Sequence, residues 1–253
     1  MRKLLFALVL FVSLASSAEE LSIAAAADLN FAMKEIAAQY QRDTGNTLKL
    51  SFGSSGNFFV QIQNGAPFDL FFSADISYPR HLEQSGLAEP GTLFPYAIGK
   101  IVLWVPNNSK LDLARGLNVL LDPSIRKISI ANPAHAPYGR AAEEALKKAG
   151  LYDRLKDKLV LGENISQAAQ FVQTGNADIG IIAQSLALSP AMKSEGKFAD
   201  VPAHLYTPIE QAAIVLKSSS HKTAAKQFLD YLKQPAALKI LEQYGFTIPT
   251  SSR

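Results

Sequence analysis

The stretch LSIAAAADLNFAMKEIAAQY, residues 21–40, decides the fold class because it joins a strand pattern directly to a helix pattern. Residues 21–27 form a short, bounded apolar run, as expected of a buried strand. Over residues 31–40 apolar side chains recur at helical spacing, and Gly45 is placed to end the helix. Asp28 stands between the two patterns, where we expect it to be the helix N-cap. The stretch therefore predicts a strand-to-helix turn at Asp28.

Three more turns of this kind follow along the chain, each ending an extended run and opening an amphipathic helix. The first turn of a helix has backbone N–H groups without internal partners and a partial positive charge, so it attracts anions. Each turn taken alone is adequately explained as a well-capped helix. Four of them together could surround one small anion. The four stretches are AAAAD at 24–28, FGSSG at 52–56, NPAHAPYG at 132–139 and GENIS at 162–166.

The strand and helix patterns alternate as β-α-β-α-β, residues 98–105 are predicted to form one further strand, and the alternation begins again with a predicted strand at residues 127–131. This alternation predicts an α/β fold with two lobes, each a mainly parallel sheet flanked by helices, and a ligand cleft between them. We expect lobe 1 to comprise residues 19–98 with 208–253 and lobe 2 to comprise residues 99–207. The last helix is predicted over residues 223–244, with Pro235 as an interruption.

The first 18 residues are predicted to be a cleaved secretory signal peptide. Arg2 and Lys3 precede an apolar run over residues 4–15, and small residues follow at 16–18. A retained membrane anchor is the alternative, but a spanning helix takes about 20 apolar residues. We therefore expect an exported, soluble protein.

Composition narrows the function classes for the remaining residues. The chain has no cysteine, which excludes disulfides, thiol catalysis and a lipid-acceptor cysteine, so no lipid anchor is expected. Without Arg2 and Lys3 the chain has 23 Lys and Arg against 22 Asp and Glu, a formal charge of +1. This balance gives no support to nucleic-acid binding.

The turns offer neutral hydrogen-bond donors rather than charges. Asn164 with a glutamine three residues later matches a helix N-cap, which places Ile165 first in the helix with a free N–H group. Ser55 adds a hydroxyl beside two glycines, and Tyr138 follows a proline typical of a helix start, although it could equally be a packing aromatic. None of the four turns contains Arg or Lys, so neutral donors to a compact oxyanion are predicted.

The sequence disfavours two other classes of site. No histidine has metal-ligand spacing, so a metal-cation site is not expected; His135 is predicted to lie in a loop at the rim of the cleft. An exported serine hydrolase using Ser54 or Ser55 is the rival from another class. The flanking glycines lack the spacing of a nucleophile elbow, and no local triad is visible.

Seven short motifs together resemble the periplasmic molybdate-binding proteins of ABC importers, within the type II solute-binding proteins. The likeness covers nearly the whole chain after the signal peptide. The motifs are AAAAD at 24–28, GSSG at 53–56, NGAP at 64–67, FSAD at 72–75, YAIGK at 96–100, NP with APYG at 132–139, and GNADIG at 175–180.

The resemblance implies oxyanion binding by hydroxyls and backbone amides at Ala27, Asp28, Ser55, Tyr138 and Ile165. Molybdenum would be present only inside the bound molybdate, held by these same residues. Asp28 departs from the family, which commonly has serine, threonine or asparagine there, and a carboxylate cannot donate unless it is protonated. Asp28 could therefore indicate phosphate, which keeps a proton, but we favour its role as a cap.

The resemblance also implies a function. We expect a non-enzymatic, monomeric binding protein for molybdate and tungstate, without a cofactor. It would deliver the anion to a membrane permease with a cytoplasmic ATPase. A receptor for sulfate or phosphate is the alternative of the same class.

Overall fold

The computed structural model describes residues 18–250 and has two lobes, each built on a five-stranded sheet flanked by helices. The expected two-lobed α/β fold is confirmed. Apart from Ala18, the predicted signal peptide lies outside the described residues. Within residues 18–250, no helix combines the length and the apolar character needed to cross a bilayer.

The bounds of the elements agree with the predicted turns to within a few residues. The strands are β1 (Glu20–Ala26), β2 (Thr47–Gly53), β3 (Leu70–Ser73), β4 (Phe94–Gly99), β5 (Ile101–Pro106), β6 (Ile128–Ala131), β7 (Leu159–Gly162), β8 (Ile179–Ala183), β9 (Gly196–Asp200) and β10 (Ile209–Val215). The α-helices are α1 (Asn30–Thr44), α2 (Ser55–Gln63), α3 (Ser77–Gln84), α4 (Pro137–Lys148), α5 (Tyr152–Leu155), α6 (Ile165–Gln173), α7 (Gln184–Ala187), α8 (Pro190–Glu195), α9 (Lys222–Leu232) and α10 (Pro235–Gln243). Short 3₁₀ segments occur at Ala27–Leu29, Leu113–Leu121, Lys156–Lys158 and Ala203–Leu205.

The two sheets have the same internal plan. In the first sheet the order is β2-β1-β3-β10-β4, and in the second it is β7-β6-β8-β5-β9. The first three strands of each order are parallel, whereas the fourth is antiparallel to both of its neighbours. That fourth strand, β10 or β5, is the one that enters from the other lobe. The sheets are therefore mixed, because each incoming strand runs against the strands it joins.

Two segments that the sequence predicts as single elements are each divided into two in the structure, so these predictions are wrong. The apolar run at 98–105 is not one strand: β4 ends at Gly99, β5 begins at Ile101, and the two belong to different sheets. An apolar run shows that a segment is buried but not which sheet it pairs with. The last predicted helix is two helices, α9 and α10, because Pro235 begins a new helix instead of extending the old one.

Strand β1 is apolar because the first sheet is covered on both faces. Leu21, Ile23 and Ala25 belong to the core that includes α1, α9 and α10. Ala24 belongs to a second core on the opposite face, with residues of α2 and α3. Alternate residues of a strand face opposite sides, so a strand buried on both faces reads as continuously apolar. Its carboxyl end opens toward the cleft between the lobes.

Candidate oxyanion site

A small cavity lies where the carboxyl ends of β1, β2 and β3 face the starts of α4 and α6 in the other lobe. It is narrow, with a free volume of only about 10 Å³. The structure brings all five predicted site residues to its wall. The lining residues are Ala26, Ala27, Asp28, Gly53, Ser54, Ser55, Ala74, Ala136, Pro137, Tyr138, Asn164 and Ile165, and none of them carries a positive charge.

Three helix starts present their first-turn amides at this cavity. Helices α2, α4 and α6 begin at Ser55, Pro137 and Ile165. Within residues 18–250, the N–H groups of Ser55, Tyr138 and Ile165 have no hydrogen-bond acceptor. All three side chains are buried. Because first-turn amides also carry the positive end of the helix dipole, the cavity wall favours an anion without any cationic side chain.

The start of α6 is organised by Asn164, as the sequence predicts. The side chain of Asn164 accepts a hydrogen bond of 3.0 Å from the N–H group of Gln167. The side chain of Gln167 in turn accepts one of 2.6 Å from the N–H group of Glu163. Ile165 is the first residue of the helix. The predicted cap is confirmed, and it leaves the Ile165 amide free for a ligand.

The two serines at the start of α2 have different roles. Ser54 occupies the N-cap position, but its side chain does not cap the helix. Its hydroxyl donates a 2.6 Å hydrogen bond to the backbone oxygen of His135 across the cleft. The Ser55 hydroxyl oxygen accepts a 3.0 Å hydrogen bond from the N–H group of Ala74. Since Ser55 accepts there, its own proton remains available to a ligand.

Asp28 is not the N-cap of α1, which corrects the preferred sequence interpretation. It lies inside the 3₁₀ turn Ala27–Leu29, and α1 begins at Asn30. Its Oδ2 accepts hydrogen bonds from the Tyr138 hydroxyl at 2.8 Å and from Nε2 of Gln211 at 2.7 Å. These two tertiary donors hold the carboxyl group in the cavity wall and turn it away from its own helix.

The carboxyl of Asp28 is in an environment that disfavours its charge. Its Oδ1 is buried and has no hydrogen-bond partner within residues 18–250. Burial raises the pKa of Asp28 to about 6, against the opposing effect of the hydrogen bonds from Gln211 and Tyr138. The backbone N–H groups of Asp28 and Leu29 also oppose the rise, although neither makes a hydrogen bond of normal geometry to Oδ1. Burial prevails because an ionised carboxylate loses more solvation than these donors return.

Gln211 and Tyr96 belong to the hydrogen-bond network around Asp28, and the sequence analysis did not identify them. The Tyr96 hydroxyl donates a 2.7 Å hydrogen bond to Oε1 of Gln211, which orients the amide so that Nε2 faces Asp28. The same Nε2 donates to the Tyr138 hydroxyl at 2.9 Å. Gln211 is fully buried in the otherwise apolar part of β10. A polar glutamine at a buried position of this strand is the sequence signal that could have indicated its role.

A family model described as "Bacterial extracellular solute-binding protein" matches residues 21–247. The chain belongs to this family.

Individual relatives of this solute-binding protein carry more specific names. "Molybdate-binding protein ModA" of Rhodobacter capsulatus is 42% identical over 240 residues, covering 95% of this chain and 93% of the relative. The protein of the same name from Azotobacter vinelandii is 43% identical over 232 residues, covering 92% and 91%. The solved periplasmic molybdate-binding protein of Azotobacter vinelandii matches with a TM-score of 0.86 at 37% identity, over 91% of this chain and 100% of that chain. The resemblance expected from the motifs is thereby confirmed.

The two lobes of this solute-binding protein also contact each other around the cavity. The Ser166 hydroxyl donates to the backbone oxygen of Ala27 at 2.9 Å, and the Ser185 hydroxyl donates to that of Asp28 at 2.8 Å. Both serines belong to the second lobe, and both carbonyls belong to the turn after β1. Hydrogen bonds from the second lobe to these two carbonyls therefore hold the turn in place.

At the rim of the cleft, His135 and Arg140 of the second lobe meet the first. His135 Nδ1 lies 3.0 Å from Oγ of Ser54. Arg140 forms an ion pair of 2.5 Å with Asp75. These contacts connect loops whose separation would open the cavity. His135 therefore lies at the rim, where the sequence predicts it.

Proposed function

We propose that this protein is the periplasmic substrate-binding component of an ABC importer for molybdate, and also tungstate. Residues 19–98 with 208–253 and residues 99–207 form lobes that close around the anion and then present it to a membrane permease with a cytoplasmic ATPase. The protein acts as a monomer, without a cofactor and without catalysis. After removal of its signal peptide it is soluble in the periplasm.

The observation that carries this proposal is the convergence of neutral donors on one small buried cavity. The amides of Ser55, Tyr138 and Ile165 and the Ser55 hydroxyl all lack an acceptor for their protons in the described part of the chain. A hydrogen bond to a charged group contributes about 1.5–3 kcal/mol. A compact oxyanion with oxygens on every side can use several such donors at once. The protein residues would contact the oxygens of the anion and not its central atom.

The relatives favour molybdate among the possible anions. Those compared above are named for molybdate binding and cover more than 90% of this chain. Tungstate has nearly the same size and charge, so the same donors suit it. Molybdate and tungstate are fully deprotonated at neutral pH and take donors only.

Sulfate and phosphate are the alternatives of the same class. Phosphate keeps a proton at neutral pH and could donate it to a carboxylate such as Asp28. Calorimetric titration of the mature protein at pH 6.5 with each of the four anions separates the cases. We expect stoichiometric binding of molybdate and tungstate in the micromolar range or tighter, and no micromolar binding of sulfate or phosphate. If the wild type binds phosphate tightly and Asp28→Asn abolishes that binding, the ligand is phosphate and not molybdate.

A serine hydrolase is disfavoured by the geometry around Ser54. His135 lies between Ser54 and Glu163, whose Oε2 is 3.6 Å from Nε2 of His135. However, the Ser54 hydroxyl donates to the His135 backbone oxygen, not to the imidazole, and is buried. Ser55 has no histidine among its hydrogen-bond partners in residues 18–250. Turnover of ester or phosphoester substrates that is lost on Ser54→Ala or Ser55→Ala would favour the hydrolase; stoichiometric binding without turnover removes it.

A further inference from the structure

We propose that Asp28 meets the bound oxyanion as a neutral carboxylic acid, so that each anion captured brings one proton into the cleft. This inference rests on the proposed function, since it concerns how the same cavity accepts a dianion. It assigns Asp28 a role that asparagine, serine or threonine at this position could not have, because none of these titrates in the physiological range.

The hydrogen bonds of the carboxyl group distinguish its two oxygens. Oδ2 accepts from both the Tyr138 hydroxyl and the Gln211 amide, as the carbonyl oxygen of an acid can. Oδ1 is buried without a partner in the described residues, and Asp28 lines the cavity. An acid whose carbonyl oxygen is held in this way has its hydroxyl on Oδ1, where it can donate to the ligand.

Among residues 18–250, no positively charged side chain lines the cavity to keep both Asp28 and a dianion ionised. The groups that face Asp28 are Tyr138 from α4, Tyr96 from β4, Gln211 from β10 and Ser185 from α7. The two tyrosines are the titratable ones, and burial holds the pKa of each well above its usual value. Both are therefore neutral. A carboxylate and a dianion in one water-poor cavity would repel each other with little screening.

The charge of the site can change through the proton on Asp28. Burial, net of the opposing hydrogen bonds, raises the pKa of this carboxyl to about 6, and a neighbouring dianion raises it further because like charges favour the protonated form. At a pH between these two values, the free protein has an ionised Asp28 and the complex a protonated one. The proton comes from solvent and forms an O–H bond at Oδ1, with no other bond made or broken. Opening of the cleft returns it.

Titration calorimetry in buffers with different ionisation enthalpies tests this directly. At pH 7.5 the observed binding enthalpy of molybdate should vary with buffer enthalpy with a slope that corresponds to uptake of about one proton. The dissociation constant should rise as the pH is raised above 7, by about tenfold per pH unit wherever the pH lies between the pKa of the free carboxyl and that of the bound one. Molybdate itself does not titrate in this range. The wild-type measurement needs no variant and so does not depend on any variant folding.

Asp28→Asn provides the matched comparison, because it keeps the shape of the side chain and removes the titration. It should bind molybdate with no proton uptake and with a dissociation constant that is constant from pH 7 to 9. Asp153→Asn, at an exposed carboxyl, should keep the wild-type dependence. Tight molybdate binding by the wild type without proton uptake would overturn this inference and leave the proposed function intact. If neither wild type nor Asp28→Asn binds molybdate or tungstate at any pH, the proposed function fails and this inference with it.

Discussion

The hydroxyl of Tyr138 donates a 2.8 Å hydrogen bond to Oδ2 of Asp28, and this bond connects α4 in one lobe to the turn after β1 in the other. This hydrogen bond favours the ionised form of Asp28 and so opposes burial, which raises the pKa of the carboxyl. Opening the cleft would separate the two residues and admit water to the carboxyl. The protonation of Asp28 and the relative position of the lobes are therefore linked through a single contact.

Removing that hydroxyl should shift the titration of Asp28. In closed Tyr138→Phe the carboxyl loses one of its two tertiary donors while burial persists, so its pKa should rise above that of the closed wild type. The chemical shift of the Asp28 carboxyl carbon, followed by NMR across the titration with saturating molybdate to keep the lobes closed, measures this. Tyr152→Phe, on α5, serves as the control and should leave the titration unchanged. A lower pKa in Tyr138→Phe would contradict the hydrogen-bond assignment.

The raised pKa of Asp28 also predicts a pH-dependent stability. The carboxyl ionises near pH 3.8 in the unfolded chain and near 6 in the folded protein. Between these values unfolding releases a proton, so the contribution of Asp28 falls as pH rises, and above pH 6 the full penalty of about 3 kcal/mol applies. Asp28→Asn lacks this penalty and should be more stable than wild type at pH 7, by about 3 kcal/mol with the lobes closed and by less where an open cleft hydrates the carboxyl. Urea unfolding without ligand should show the difference shrinking toward pH 4. An equal difference at both pH values would show that Asp28 does not titrate as described.

Ser55 and Ile165 separate side-chain donors from backbone donors. Ser55→Ala removes a hydroxyl whose proton is available to the ligand, and should weaken molybdate binding by about 1.5–3 kcal/mol, the range for a hydrogen bond to a charged group. Ile165→Val keeps the backbone amide and should leave binding almost unchanged. Calorimetry on both variants measures the two effects. A large loss for Ile165→Val with none for Ser55→Ala would reverse this account of the site.

Gly56 should report on closure of the lobes. A Cβ atom at Gly56 would lie 2.5 Å from the backbone oxygen of His135 in the opposite lobe, with no flexible side chain there to yield. Gly56→Ala should therefore hold the lobes apart, weaken molybdate binding at least tenfold, and reduce the compaction that we expect on ligand addition. Small-angle scattering with and without molybdate measures the compaction. Val60→Ala, on the exposed face of the same helix, is the control. Full compaction of Gly56→Ala would mean that the two loops do not meet on closure.

The sequence could predict those parts of the fold and site that depend on local patterns. The turns before α2, α4 and α6 follow from apolar periodicity with proline or a capping residue, and the Asn164 cap is confirmed. These local signals mark Ser55, Tyr138 and Ile165 as candidates, and the fold brings them together with Ala27 and Asp28 at one cavity. That they bind an anion stays a prediction.

The rest depends on contacts between residues far apart in the chain. Tyr96 and Gln211 are separated by 115 positions, and nothing local marks them as partners. Asp28 has good intrinsic capping propensity, but two tertiary hydrogen bonds outweigh it, so the local rule gave the wrong role. The break at Lys100 was missed for a similar reason, since the residues on either side of it are both apolar and buried but pair with different sheets.

The position of β10 between β3 and β4 has a consequence for how the chain folds. The first sheet needs a strand near the carboxyl end of the sequence to fill the gap between two strands made much earlier, whereas the second sheet is built from the continuous segment from β5 to β9. The second lobe can therefore complete its sheet while β3 and β4 still have unpaired edges, which are prone to pair with other chains. A chain truncated before Ile209 should retain the second sheet but aggregate through the first.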